Sequence, residues 1–256
     1  MADATSIVLL GASNVQMGRS ALIAEALRAA GSGPAAEVYV AAGHGRSYGE
    51  WSRAFARGLP GIAACGLWRA LSKRGGSGGY ALLADIGNDL AYGASPAKLA
   101  GWVTTCMERL RERDLRVVLS LFPEESVAGL GSWRFWLVGS VLFPGHRFSR
   151  RQILEHGGEL NERLRAAADR LGCIWVRPET AWYGHDGIHF RLLARRQAWR
   201  SLVTRWRSAA ESLGAEAEDR VALAGARPEL CTILGRERRA AQPCVALDGG
   251  GRVSIF

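Results

Sequence analysis

Lysine is almost missing from this 256-residue chain: Lys73 and Lys98 are the only two among 33 basic residues. The net charge of +9 is therefore carried by arginine. An excess of this sign fits a nucleic acid or another anionic partner. However, no block of five or six like charges occurs, and the arginines are spread along the whole sequence. The spread reads as a general preference for arginine, and no nucleic-acid partner is expected. Long apolar runs are missing too. The most apolar stretch, from Trp133 to Gly145, contains Arg134 and Pro144 and falls short of the roughly 20 residues that span a bilayer. No basic segment precedes the first apolar run, Ile7 to Leu10, so no secretory signal is expected. The reading is a soluble, cytoplasmic protein with no integral membrane association. The five cysteines, Cys65, Cys106, Cys173, Cys231 and Cys244, are odd in number and form no Cys-x-x-Cys pair. A disulfide framework and a structural zinc site are both disfavoured, and reduced thiols are expected.

What is present is alternation. Buried strands are predicted over residues 6–10, 38–42, 80–86 and 115–122, with a short fifth at 172–176. Between them lie helical patterns at 15–30, 96–113 and 150–171, and a last one at 190–213 with Leu192, Trp199, Val203 and Trp206 on one stripe. Residues 48–71 read as helical in pieces. Ser95 and Pro96 mark a helix start. Five strand-helix alternations predict an α/β fold around a mostly parallel five-stranded sheet, with residues 1–213 as the main domain. The stretch 214–256 has short β-like runs and reads as a β-rich extension packed on it. The segment 133–145 reads first as a buried helix. The second reading is a lid touching anionic lipid, but such helices show a polar face and this one does not.

In a parallel α/β sheet, ligands bind beyond the carboxyl ends of the strands. Four segments fall there. Gly11-Ala12-Ser13-Asn14 follows the first strand, where a serine faces a helix N-terminus that favours developing negative charge. On that feature alone, the N-cap reading of Ser13 is the stronger. Gly43 to Gly49 follows the second strand. Its glycines let backbone N–H groups turn toward a ligand, although its spacing is one residue too long for a dinucleotide fingerprint. Gly87-Asn88-Asp89 follows the third, and the Asn88 amide supplies two donors without charge. That suits an oxyanion, or simply a turn. Before the last helix stands Asp186-Gly187-Ile188-His189. A carboxylate three residues before a histidine reaches its Nδ1 if the chain turns at Gly187, leaving Nε2 to take a proton from a hydroxyl. A metal site at His185, Asp186 and His189 lacks further ligands in the sequence, and His189 as a structural residue is the remaining alternative.

Taken together and in this order, the segments resemble the SGNH/GDSL family of serine hydrolases. The first block, Gly-Asp-Ser, reads Gly11-Ala12-Ser13 here. Gly45 matches the second block, with Gly43 as second choice. Ile86-Gly87-Asn88-Asp89 stands for the third, Gly-x-Asn-Asp, and Asp186 to His189 for the fifth, Asp-x-x-His. Ala12 replaces the usual aspartate, and the third-block glycine falls one position late. The resemblance implies a three-layer α/β/α fold and hydrolysis of a small-molecule carboxylic ester or thioester without a cofactor or metal. It implies Ser13 as nucleophile, His189 as general base and Asp186 as its partner. An oxyanion hole would be formed by Ser13, Gly45 and Asn88. Asn14, Arg46, Ser47, Tyr48 and Asp89 are expected near the substrate, with Asp89 alternatively a brace of its loop. The same resemblance leaves open an acyltransferase or an inactive relative that binds a sugar or acyl group. A nucleotide-binding α/β protein using the Gly43–Gly49 loop is the reading outside the family.

Overall fold

The computed structural model describes residues 5–31, 36–54, 56–74, 78–131, 133–135, 149–207, 221–247 and 250–256. Its centre is a sheet of seven strands in the order β10-β11-β2-β1-β5-β6-β7. The parallel core comprises β1 (Thr5–Leu10), β2 (Ala36–Ala41), β5 (Gly79–Leu83), β6 (Leu115–Ser120) and β7 (Ile174–Val176). The expected count of five strands is thus two short. The C-terminal stretch adds β11 (Arg252–Ile255), parallel to β2, and β10 (Val245–Ala246), antiparallel to β11. Short runs without strong alternation gave no sign that they would extend the main sheet.

Successive strand residues point to opposite faces, and both faces are covered. Ile7 and Leu9 face one core with Val38, Val40, Trp199 and Trp206. Val8 and Leu10 face the other, with Leu67, Val103, Met107, Leu160 and Leu164. On the first side lie α1 (Ser13–Ala30) and α7 (Arg195–Val203). On the second lie α2 (Leu67–Arg74), α4 (Pro96–Arg111) and α6 (Arg150–Leu171). Short helices α3 (Asn88–Ala91) and α5 (Glu124–Ala128) follow β5 and β6. Among the described residues no helix is long and apolar enough to cross a membrane.

Two expectations about local structure are corrected. Of residues 48–71, expected to be helical in pieces, only 62–64 and 67–71 are helical. The same stretch holds the hairpin β3 (Ser52–Ala54) and β4 (Arg57–Leu59), which joins β8 (Leu230–Ile233) and β9 (Arg236–Arg239) in a second, antiparallel sheet. Long-range pairing with the C-terminal strands overrides the local pattern. The last helix begins at Arg195 rather than 190, because residues 190 and 191 pair backward: Phe190 bridges Tyr183, and the Arg191 N–H donates to the Trp182 carbonyl at 2.8 Å. Leu192, placed on the buried stripe by the pattern, is consequently 74% exposed. Most of the apolar segment after Trp133 lies outside the described residues. Trp133 itself is exposed.

The closeness of α1 and α7 has a visible cause. A Cβ on Gly18 would come within 2.4 Å of the Trp199 ring nitrogen, so only glycine allows this approach. A buried carboxylate reinforces it. Glu25 of α1 accepts from Arg196 at 2.7 Å and Arg200 at 3.0 Å, and also pairs with Arg28 at 2.8 Å. Burial pushes the Glu25 carboxyl up, but Arg200, Arg196 and Arg28 outweigh it and hold it at about 2. A depressed carboxyl contributes stability above its unfolded pKa and loses it as pH falls. The window therefore runs from about 4.5 down to about 2. Glu25→Gln should cost about 2 kcal/mol at neutral pH, after discounting for solvent around the arginines. It should also flatten the acid dependence of the melting temperature in that window. Thermal melts of both proteins across this range check it.

Candidate active site

Ser13 opens α1 but does not cap it. The N-cap position is Ala12, with no side-chain capping bond. The serine hydroxyl instead lies 2.9 Å from Nε2 of His189. On the far side of the ring, Nδ1 lies 2.7 Å from Oδ2 of Asp186. Residues 176 positions apart in the chain are thus joined in one line, hydroxyl to imidazole to carboxylate.

The Asp186–His189 turn forms for local reasons. Gly187 sits at φ +73°, in the left-handed region where glycine carries no steric penalty. The other Asp186 oxygen, Oδ1, accepts the backbone N–H groups of Ile188 at 3.1 Å and His189 at 2.9 Å. The carboxylate thereby holds its own turn while facing the ring. Burial raises the Asp186 carboxyl, but the hydrogen bonds from the His189 ring and backbone win, and it lies below the usual value. His185 points to solvent, and among the described residues no three His, Cys, Asp or Glu side chains gather as metal ligands.

Asn88 joins the same place from the end of β5. It lines a cavity with Ser13, Asn14, Gly87 and Asp186. Its Nδ2 is buried and has no hydrogen-bond partner among the described residues. A buried amide donor without an acceptor costs free energy unless something else supplies one, so this group is poised toward an oxygen the protein does not itself provide. Gly45, at φ +60°, lies at the turn after β2 and is not among the residues lining that cavity. Its carbonyl accepts from the Tyr92 hydroxyl at 2.9 Å. Partial desolvation favours the neutral form of the neighbouring His44 ring.

Arg46, Ser47, Tyr48 and Asp89, expected near the substrate, are all buried within the protein. Arg46 is fully buried, and its guanidinium donates to the carbonyls of Phe256 and Pro60. It fastens the end of β11 beneath the loop. The Ser47 hydroxyl donates to Asp89 and accepts the N–H groups of Gly49 and Glu50. Tyr48 is also fully buried, with its hydroxyl on the Ala84 carbonyl. Asp89 accepts from Ser47 and from the Tyr48 N–H at 3.0 Å, so it braces the loop. The N–H groups of residues 46–50 are all engaged within the protein. Residues 46–50 of the loop therefore have no free N–H with which to cradle a phosphate.

Asn14 lines the cavity and also anchors the chain around His189. Its Oδ1 accepts the Phe190 N–H at 2.7 Å, and its Nδ2 donates to the Ile188 carbonyl at 2.8 Å. It therefore grips the residues on both sides of His189. The same Nδ2 donates to Asp85 at 2.8 Å, and Asp85 is a residue of this site that the sequence reading did not name. Asp85 Oδ2 accepts the N–H groups of Ala12 and Val15, each at 3.0 Å, on either side of the serine. Burial pushes the Asp85 carboxyl above its ordinary value, opposed by those bonds. A carboxylate from the end of the neighbouring strand thus holds the backbone on both sides of Ser13. The expected strand 80–86 placed Asp85 inside the sheet. The strand ends at Leu83 and Asp85 turns at φ +56°, a rare conformation for a non-glycine residue. An aspartate just before a Gly-Asn turn was the available signal.

No model of a known protein family matches the chain, and no curated protein matches it by sequence. Solved structures do match. Est24, a carbohydrate acetylesterase from Sinorhizobium meliloti, shares 16% identity over 78% of this chain and 97% of its own, with a TM-score of 0.54. Another carbohydrate acetylesterase family member from the same organism shares 15% over 78% and 96%, with a TM-score of 0.52. The aryl esterase of M. smegmatis shares 14% over 79% and 97%, also at 0.52. This chain has the fold of those esterases. At such identities the likeness is one of fold.

Proposed function

We propose that the protein is a serine hydrolase of carboxylic esters or thioesters, a divergent member of the SGNH/GDSL family acting through an acyl-serine intermediate. The observation that carries this reading is the unbroken line from the Ser13 hydroxyl through His189 to Asp186, at 2.9 and 2.7 Å. Ser13 Oγ attacks the ester carbonyl carbon as its proton passes to Nε2 of His189. Asp186 holds the ring with Nδ1 protonated and stabilises the imidazolium. The carbonyl oxygen becomes an oxyanion, met by the Asn88 amide and the backbone N–H groups of Ser13 and Gly45. The bond to the leaving oxygen or sulfur breaks, and Nε2 returns its proton to the leaving group. Water then attacks the acyl-serine by the same steps, releasing the acid and restoring Ser13.

Asn88→Ala should lower kcat by about 100–1,000-fold, equivalent to roughly 2.7–4 kcal/mol of barrier. Its melting temperature should not fall, because the buried Nδ2 makes no bond within the described protein. Steady-state kinetics with p-nitrophenyl acetate, alongside a thermal melt, check both parts. The reading as a whole is tested with a fluorophosphonate probe. One phosphonyl group should attach to Ser13 in the wild type and none in Ser13→Ala. A folded wild type that takes no label, or takes it elsewhere, overturns the proposal.

A further inference from the structure

The cavity beside Ser13 has a divided character. Its polar lining residues are Ser13, Asn14, Asp85, Asn88, Asp186 and Tyr183. The first five are the site residues described above. The remaining wall is apolar, with Leu121, Phe122, Val127, Leu130 and Ile153 among its residues, and among the described residues it carries no charged side chain. Esters with a charged or strongly polar acyl group would be desolvated there without partners, at a cost. An apolar chain would not.

The wall is also built to hold its shape. Phe122 is fixed through its backbone by the buried side chain of Asn161, whose Oδ1 accepts the Phe122 N–H at 2.9 Å and whose Nδ2 donates to the Phe122 carbonyl at 3.1 Å. This buried amide has no part in the reaction, and its two bonds both go to one residue of the cavity wall. The ring itself is seated between two glycines. A Cβ on Gly157 would come within 2.3 Å of it, and one on Gly87 within 2.7 Å. Phe122 therefore stands in a fixed place beside the Gly87-Asn88 turn, next to the amide that would receive the oxyanion.

From this we infer that the natural substrate carries an apolar acyl group longer than acetyl, held in the cavity walled by Phe122, Val127, Leu130 and Ile153. The inference rests on the serine-hydrolase reading and adds the substrate class to it. The acyl side is assigned because the carbonyl carbon must sit between Ser13 and Asn88, and both line this cavity. The leaving group must instead lie within reach of His189 Nε2, and His189 is not among the lining residues.

Each methylene moved from water into such a cavity should raise kcat/KM about fourfold until the cavity is full. The experiment is a series of p-nitrophenyl esters from acetate to octanoate, and a parallel series of alkyl acetates from ethyl to hexyl. Hexanoate should exceed acetate by about 10- to 100-fold in kcat/KM, while the alkyl acetates should vary little. Ile153→Phe should move the preferred acyl length down and Ile153→Ala should move it up. Opposite shifts from one position separate a wall residue from a merely destabilised protein. A preference for acetate, or a gain that follows the alcohol rather than the acyl chain, overturns the inference even if Ser13 proves catalytic. If no ester is hydrolysed, the serine-hydrolase reading fails by itself. The cavity is then judged by binding: hexanoate should raise the melting temperature of Ser13→Ala, and the rise should shrink with Ile153→Phe. No rise counts against the cavity.

Discussion

Ser13→Ala should lower kcat for p-nitrophenyl acetate by about a million-fold, to the level left by binding and oxyanion stabilisation alone. Removing His189 should cost about as much, and removing both should cost little more than either. The non-additivity follows from the geometry. The imidazole acts only by exchanging a proton with the hydroxyl 2.9 Å away, so each group is idle without the other. The fold should survive Ser13→Ala. The N-terminus of α1 is held by the N–H groups of Ala12 and Val15 on Asp85 and by the Asn14 side chain, none of which involves the hydroxyl. A double-mutant cycle in kcat, with thermal melts as controls, measures the effect. Additive losses would mean that the two groups do not act as a unit.

The second large effect is expected at Asp186. Asp186→Asn should lower kcat by about 10,000-fold with little change in KM. An amide in this place can keep one oxygen on the N–H groups of Ile188 and His189, so the turn survives. Its nitrogen must then donate to His189 Nδ1, which selects the tautomer with the proton on Nε2. That nitrogen points at Ser13 and can no longer take its proton. Titration has the opposite handle. The Asp186 carboxyl is held low by His189, so its contribution is present above the unfolded carboxyl pKa and is lost only as pH falls through the depressed value. The Asp186 carboxylate should therefore stay charged across the mildly acidic range, and the Asp186→Asn defect should persist there. Recovery of the variant at mildly acid pH would contradict this assignment.

The strands were legible because a sheet covered on both faces needs continuous apolar runs, and residues 6–10 and 115–122 supply them. The line from Ser13 to His189 was legible because each member follows or precedes an element boundary marked by glycine. Other features were set by partners far away in sequence. The hairpin at residues 52–59 pairs with β8, and nothing within residues 48–71 announces that partner. Arg46 and Tyr48 look like surface loop residues until β11 and the end of β5 close over them. Asp85 escaped notice because its role depends on the first turn of α1, which lies about 70 residues earlier. Proximity across the sheet, rather than pattern along the chain, determined each of these.

The most direct test is to trap the intermediate. Wild-type protein mixed with p-nitrophenyl hexanoate should release a burst of nitrophenol equal to the enzyme concentration if deacylation is the slower step. Acid-quenched protein should then carry one hexanoyl group, located by peptide mass mapping on the hydroxyl of Ser13. Turnover with no acyl adduct on any residue after quenching under accumulating conditions, or an adduct on a residue other than Ser13, would contradict the account.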